Sequence, residues 1–105
     1  MQKAHLHLIQ WGLNRDYTLE VDIEGEHEYT GTSFKLAKEA SEAGDIGDIC
    51  FLKDGKRVAC FSYVHEYQQE PEEVIYDYGI NAISEEWSTD YDKHAAAEEA
   101  LFQSC

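Results

Sequence analysis

The stretch Leu19-Glu20-Val21-Asp22-Ile23-Glu24-Gly25-Glu26-His27-Glu28-Tyr29 places an acid at every second position. Period two is the period of a β-strand, so one extended strand here would send Glu20, Asp22, Glu24, Glu26 and Glu28 to the same face. Four intervals of roughly 6.7 Å make a ladder about 27 Å long, with a pitch comparable to that of phosphates along a nucleic-acid strand. Leu19, Val21 and Ile23 would face a core. Apolar-in, charged-out alternation is also what any half-buried antiparallel strand displays. A merely soluble face, however, mixes Lys and Thr with Glu, whereas here every outward position is acidic.

Working outward, Ala4 to Trp11 alternates His5 and His7 with Leu6 and Leu8, and Gly12-Leu13-Asn14-Arg15-Asp16 has the residues of a hairpin loop. The first unit is therefore expected to be an antiparallel hairpin. Gly31-Thr32-Ser33 supplies a helix start, Phe34, Leu36, Ala37 and Ala40 an apolar stripe, and Gly44 a stop. Asp48 to Lys53 and Arg57 to Val64 flank Asp54-Gly55, one of the strongest short hairpin signals. A two-residue turn there sets Phe51 opposite Val58 and Ile49 opposite Cys60, which separates Cys50 and Cys60 onto opposite faces. Pro71 followed by Glu72 and Glu73 predicts a helix ending before Gly79. Trp87, Tyr91, Ala95 and Leu101 with Phe102 predict a last helix from about Ser84 or Thr89 to about Gln103. The expected order is β-β-α-β-β-α-α: an α+β fold with a four-stranded antiparallel sheet from two hairpins, helices packed on one face, and a single compact domain over residues 1–105.

The chain carries 22 acids against 8 Lys and Arg, a net charge of −14, yet 43% of it is hydrophobic. The acid is thus added to a folding sequence and does not replace its core. From His65 onward there are 11 acids against Lys93 alone, so this part repels nucleic acid and anionic membrane. Such self-repulsion costs folding energy and points to a basic partner. Three cysteines, Cys50, Cys60 and Cys105, without Cys-x-x-Cys spacing argue against a disulfide framework and for the reducing cytoplasm. The N-terminal residues lack the apolar run of a signal peptide or membrane helix.

A second candidate region interleaves the aromatics Tyr63, Tyr67, Tyr76, Tyr78, Trp87 and Tyr91 with the acids Glu66, Glu70, Glu72, Glu73, Asp77, Glu85, Glu86, Asp90 and Asp92. Carboxylates pair with Lys and Arg of a partner while tyrosines supply rigid contact area; the competing role for each aromatic is core packing. His5-x-His7, with His27 or a carboxylate as third ligand, could hold a metal, but nothing fixes that third ligand. Cys50 and Cys60 sit in apolar strand surroundings that keep a thiol protonated and inert. No nucleophile elbow, phosphate-cradling loop or dinucleotide fingerprint is present, so no enzyme activity, cofactor or metal is assigned.

In size, charge and the stretches Glu20 to Glu28, Glu66 to Asp77 and Glu85 to Asp92, the chain resembles the small acidic proteins of phages and mobile elements that disarm host defences, of anti-CRISPR and anti-restriction type. The resemblance implies an inhibitor that blocks a basic nucleic-acid-binding protein or RNA-guided complex by charge mimicry in the bacterial cytoplasm. It implies no direct contact with nucleic acid or membrane. Two other functions compete: an immunity protein or antitoxin that neutralises a basic nuclease toxin, and a small metal-binding protein or enzyme using His5 and His7.

Overall fold

A computed structural model describes residues 3–66, 69–70 and 73–103, with side chains through residue 94. The chain opens with a helix, α1 (Ala4–Asn14), where the alternation predicts a strand. Its buried residues, Ala4, His5, Leu8, Ile9, Trp11 and Gly12, recur at the three- and four-residue spacing of one helix face. His5 is completely buried, so counting it as an outward polar residue manufactures a period of two that the fold does not use. Gly12 is required here by close approach. A Cβ at this position would lie 2.5 Å from Cε1 of Phe51, so the bare backbone lets α1 press onto that ring.

The acidic stretch does not run as one strand. β1 (Thr18–Ile23) and β2 (Glu26–Gly31) form a hairpin, and Glu24 and Gly25 at its tip have φ of 51° and 85°. Two successive positive φ values are what a tight primed turn demands. The five carboxylates are thereby divided: Glu20 pairs opposite Thr30 and Asp22 opposite His27, whereas Glu26 lies opposite Ile23, on the other side of the sheet. Glu28 is the extra residue of a bulge between the Val21–Tyr29 and Asp22–His27 pairs.

α2 (Phe34–Glu42) begins as its sequence predicts, with the Ser33 hydroxyl accepting from the Leu36 N–H. β3 (Ile46–Lys53) and β4 (Lys56–Val64) form the hairpin expected around Asp54-Gly55, at φ of 53° and 79°. Their register shifts by one residue after Leu52 and Arg57, so that Phe51 faces Ala59, Cys50 faces Cys60 and Ile49 faces Phe61. Cys50 and Cys60 therefore share a face, against expectation, because Val58 is an unpaired bulge residue. The bulge has a packing cause: it turns Ala59, Phe61 and Tyr63 into the core and leaves Cys60 and Ser62 outside.

β5 (Ile75–Tyr78) replaces the helix expected after Pro71. Val74-Ile75-Tyr76 is β-branched and aromatic, and the segment finds an open edge on β4, pairing Tyr78 with Phe61, Asp77 with Ser62 and Ile75 with Tyr63. α3 (Ala82–Gln103) starts slightly earlier than its apolar stripe predicts. Asn81 and Ser84 cap it reciprocally, each backbone N–H donating to the other's side chain at 2.9 Å. The predicted helix start at Pro71, and the Ala95, Leu101 and Phe102 side chains, lie outside what is described.

The fold is thus α+β, with a five-stranded antiparallel sheet in the order β2-β1-β3-β4-β5 in place of four strands. All three helices lie on one face. Leu8, Ile9 and Trp11 of α1, Ala37 of α2 and Trp87 and Tyr91 of α3 join Leu19, Val21, Ile49, Phe51, Phe61 and Tyr63 of the sheet in one core. Phe51 is its hub, with the rings of Trp11, Tyr17 and Phe61 stacked or tilted against it at 5.2–5.8 Å. No helix among the described residues is long and apolar enough to cross a membrane.

Glu24 at positive φ is a costly choice, since Asn occupies that region more readily. Glu24→Asn is expected to raise the unfolding free energy by about 0.5–1 kcal/mol and Gly25→Val to lower it by about 1–2 kcal/mol. Urea unfolding midpoints measure both, and equal midpoints for the two variants would show that the turn is not as described.

Candidate functional site

The register of the strands builds the face on which none of the described helices packs. Its central row crosses all five strands: His27, Asp22, Asp48, Ser62 and Asp77 are successive partners. The next row is Thr30, Glu20, Cys50 and Cys60. On the other side of the central row, Ile46 pairs with Val64, with Glu24 of the first hairpin turn and Tyr76 of β5 close by. The acids of this face are therefore set across the strands and not along one of them. Neighbouring strands stand about 4.8 Å apart, so Asp22, Asp48 and Asp77 occupy a band of roughly 14 Å.

This band is held by a small set of donors. Arg57 reaches back over the sheet to the carboxylates of Glu20 and, at 3.1 Å, Asp22. His27 Nδ1 lies 3.2 Å from the second Asp22 oxygen, and Thr30 Oγ1 is 3.0 Å from His27 Nε2. The Ser62 hydroxyl donates to Asp48 at 2.7 Å. The hydrogen bond to Glu20 raises the Arg57 pKa, keeping the guanidinium charged. Below the band, burial first and then the fields of Asp48, Glu28 and Asp22 push the Tyr63 hydroxyl up to about 12. Asp77 is exposed at the open edge of the row.

The residues singled out by sequence are not brought together as a set. Glu20, Asp22, Glu24 and Asp77 contribute to the open face. Glu26 and Glu28 are exposed on the edge strand β2 and point away from that row or sit on its bulge. Glu66, Glu70 and Glu73 are exposed on the connection between β4 and β5, where Glu73 accepts from the Glu70 N–H at 3.3 Å. Tyr67 and Glu72 lie outside the described residues. Tyr78 is not an exposed anchor, because its ring packs on Phe61 at 5.6 Å and on Trp87 at 6.1 Å. Glu85 and Asp92 are exposed on α3.

Glu86 and Asp90 have an internal task. Arg15 lies 3.8 Å above the Trp11 ring and donates to Glu86 at 3.2 Å and Asp90 at 3.0 Å, while the Trp11 N–H donates to Asp90 at 2.8 Å. The Trp11 bond, aided by Arg15, holds Asp90 below the usual carboxylate range. These acids tie α3 to α1. Tyr76, one of the acid-flanked aromatics of the second candidate region, is exposed on the open face. Asp48 and Ile46, absent from the residues singled out by sequence, belong there too, and only cross-strand register identifies them.

The histidine pair fails as a ligand set because α1 is a helix, on which residues two apart diverge. His5 is buried, with Nε2 3.3 Å from Glu42 and its ring edge-on to His65 at 4.7 Å. His7 instead accepts from the Trp87 N–H at 3.1 Å and neighbours Tyr91 and His94. His27 lies on the opposite face of the sheet, and no group of three His, Cys, Asp or Glu suited to a metal occurs among the described residues. Burial, then His65, lowers the His5 pKa to about 4 against the pull of Glu42. Cys50 and Cys60 are free thiols in contact across the strands; burial and that contact push the Cys50 thiol up.

No protein-family model, no curated protein and no solved structure matches this chain.

Two predictions follow from the buried groups. Between pH 6.5 and 4 the unfolded chain takes a proton at His5 that the folded chain refuses, so unfolding free energy falls with pH across that window by up to about 3 kcal/mol. Urea titrations of the native chain and His5→Gln should converge as pH drops from 6.5 to 4; parallel curves would refute the assignment. In native protein, a thiol alkylating reagent at neutral pH should modify half-exposed Cys60 well before Cys50, as read by peptide mass spectrometry. Cys50 should react only on unfolding, and equal labelling rates would contradict its burial.

Proposed function

We propose that this chain is an acidic inhibitor whose open sheet face covers the Lys and Arg groups with which a nucleic-acid-binding protein or RNA-guided complex grips DNA or RNA. The observation that carries this reading is the register row of Asp22, Asp48 and Asp77, with Glu20 beside it, on a sheet face that none of the described helices covers. A net charge of −14 supplies the long-range field that steers a cationic partner and excludes competing nucleic acid and anionic lipid.

The division of the ladder changes the form of the mimicry. An intact 27 Å strand of acids would imitate a run of phosphates; a transverse band imitates a compact patch of them. Carboxylates here act as acceptors for bidentate Arg and for Lys, and displace phosphates from the same groups. Arg57 is held between Glu20 and Asp22, and a partner guanidinium arriving there would compete with it. Association of this kind weakens with salt, since charges more than about 8 Å apart are screened at physiological ionic strength.

The test is inhibition of nucleic-acid binding by a panel of RNA-guided and restriction complexes, measured with fluorescent DNA or RNA. The triple variant Asp22→Lys, Asp48→Lys, Asp77→Lys should inhibit about 100-fold less well than the native chain, at three charge reversals of roughly 1 kcal/mol each. A control with the same net charge, Glu26→Lys, Glu85→Lys, Asp92→Lys, should keep most of the inhibition. Equal losses in the two triples would mean that total charge and not this face does the work, and no inhibition of any basic partner would end the reading.

A further inference from the structure

The row beyond the acids has a different composition. Among the described residues, four large apolar side chains are exposed, and two of them, Ile46 at 40% and Tyr76 at 55%, stand side by side on the open face. They separate and floor two adjoining hollows. One, of about 200 Å³, is lined by Glu24, Gly25, Ile46, Gly47, Asp48 and Tyr76. The other, of about 470 Å³, is lined by Ile46, Val64, Glu66, Gln69, Glu73 and Tyr76. Among the described residues, every ionisable side chain of the two linings other than Tyr76 is a carboxylate, and neither lining includes a Lys or Arg.

We infer that this double hollow is an anchor for arginine side chains of a protein partner, one on each side of Tyr76. The chemistry selects arginine in three ways. Its three-carbon stem covers apolar surface such as Ile46 and Val64, its planar head stacks on an aromatic face such as Tyr76, and its forked donors match carboxylates at the rim, Glu24 and Asp48 on one side and Glu66 and Glu73 on the other. A hollow of about 200 Å³ is smaller than the 300–1,000 Å³ typical of small-molecule sites and suits a single side chain. Nucleic acid and anionic lipid are repelled by the carboxylate rim. A second copy of this chain does not fit either: its arginines, Arg15 and Arg57, are both engaged with its own acids.

This inference rests on the reading of the open face as a surface for a cationic protein and adds the element that fixes the partner's position. Charge alone gives a diffuse encounter, whereas a side chain seated against an aromatic ring slows release. Ile46 and Tyr76 are thereby explained as contact residues in place of unexplained exposed apolar groups.

The experiment uses the full chain labelled with ¹⁵N and a short capped peptide, arginine-alanine-arginine, with its lysine and glutamate counterparts as comparisons. Backbone shifts on titration should concentrate at residues 24–25, 46–48, 64–66 and 73–77, with the arginine peptide binding about threefold to fivefold more tightly than the lysine peptide. Tyr76→Ala should weaken it by a similar factor while Tyr76→Phe retains it; the site is exposed, so folding is unaffected. Glu66→Gln with Glu73→Gln should weaken it further. Diffuse shifts over all acidic surfaces, or an arginine peptide indifferent to Tyr76→Ala, would overturn the anchor. Shifts at Glu20, Asp22 and Ser62 that leave Ile46 and Tyr76 unmoved would also overturn it while leaving the acidic face as an interaction surface. Peptide bound at Tyr76 by a native chain that inhibits none of the basic nucleic-acid-binding partners would uphold the anchor and refute the inhibitor reading.

Discussion

The single extra residue in β4, Val58, decides which side of the sheet is which. Without it the side-chain alternation would place Cys60, Ser62 and Val64 against the helices and expel Phe61 and Tyr63 into water. With it, two aromatic rings complete the core around Phe51, and the outer face receives a thiol and a hydroxyl that neighbour Asp48 and Cys50. Burying a Phe or Tyr in place of a Cys or Ser is a difference of the order of 1–2 kcal/mol per position, which exceeds the cost of one interrupted ladder hydrogen bond. The open face, its acid row and the cysteine pair all follow from that choice.

The distribution of carboxylates then separates into two populations with different physical roles. Glu86, Asp90 and Glu42 pair with Arg15, Trp11, Lys38 and His5, so they tie elements together or tune a buried group. Glu20, Asp22, Asp48 and Asp77 occupy adjoining rows on one face, where Arg57, His27 and Ser62 offset part of their repulsion. A protein that needed acid only for solubility would gain by spreading it, because like charges on adjacent strands destabilise the sheet. The concentration of four carboxylates in two rows runs against that gain.

How far the sequence discloses this arrangement depends on whether a segment's local signals agree with its tertiary setting. The β3–β4 hairpin and α2 are legible because Asp54-Gly55 and Ser33 carry local chemistry that the fold uses unchanged. The class α+β and an antiparallel sheet are legible for the same reason. α1 is misread because a buried histidine looks polar, and β1–β2 because Glu24-Gly25 continues the alternation that it also interrupts. β5 is misread because Pro71 with adjoining acids imitates a helix start, while the edge of β4 that captures Ile75–Tyr78 is a tertiary fact. Of the candidate site, Glu20, Asp22, Glu24 and Asp77 are legible by charge. Tyr76 is legible as an aromatic flanked by acids, but Asp48 and Ile46 are not, since only register across the strands brings them beside it.

Under the proposed function, that assembly gives different work to the two kinds of residue on the open face. Carboxylates act at a distance, and their contribution to association is largest before contact and fades as salt shortens the Debye length. Ile46 and Tyr76 act only at contact, through area removed from water and the ring's attraction for a guanidinium, and salt leaves most of that in place. Under the inhibitor reading the two are complementary: a charged band without an anchor would exchange rapidly with the nucleic acid it must displace, and an anchor without the band would meet its partner too slowly. Their adjacency on one helix-free face, one row apart, is what lets a chain of 105 residues combine both in a single contact.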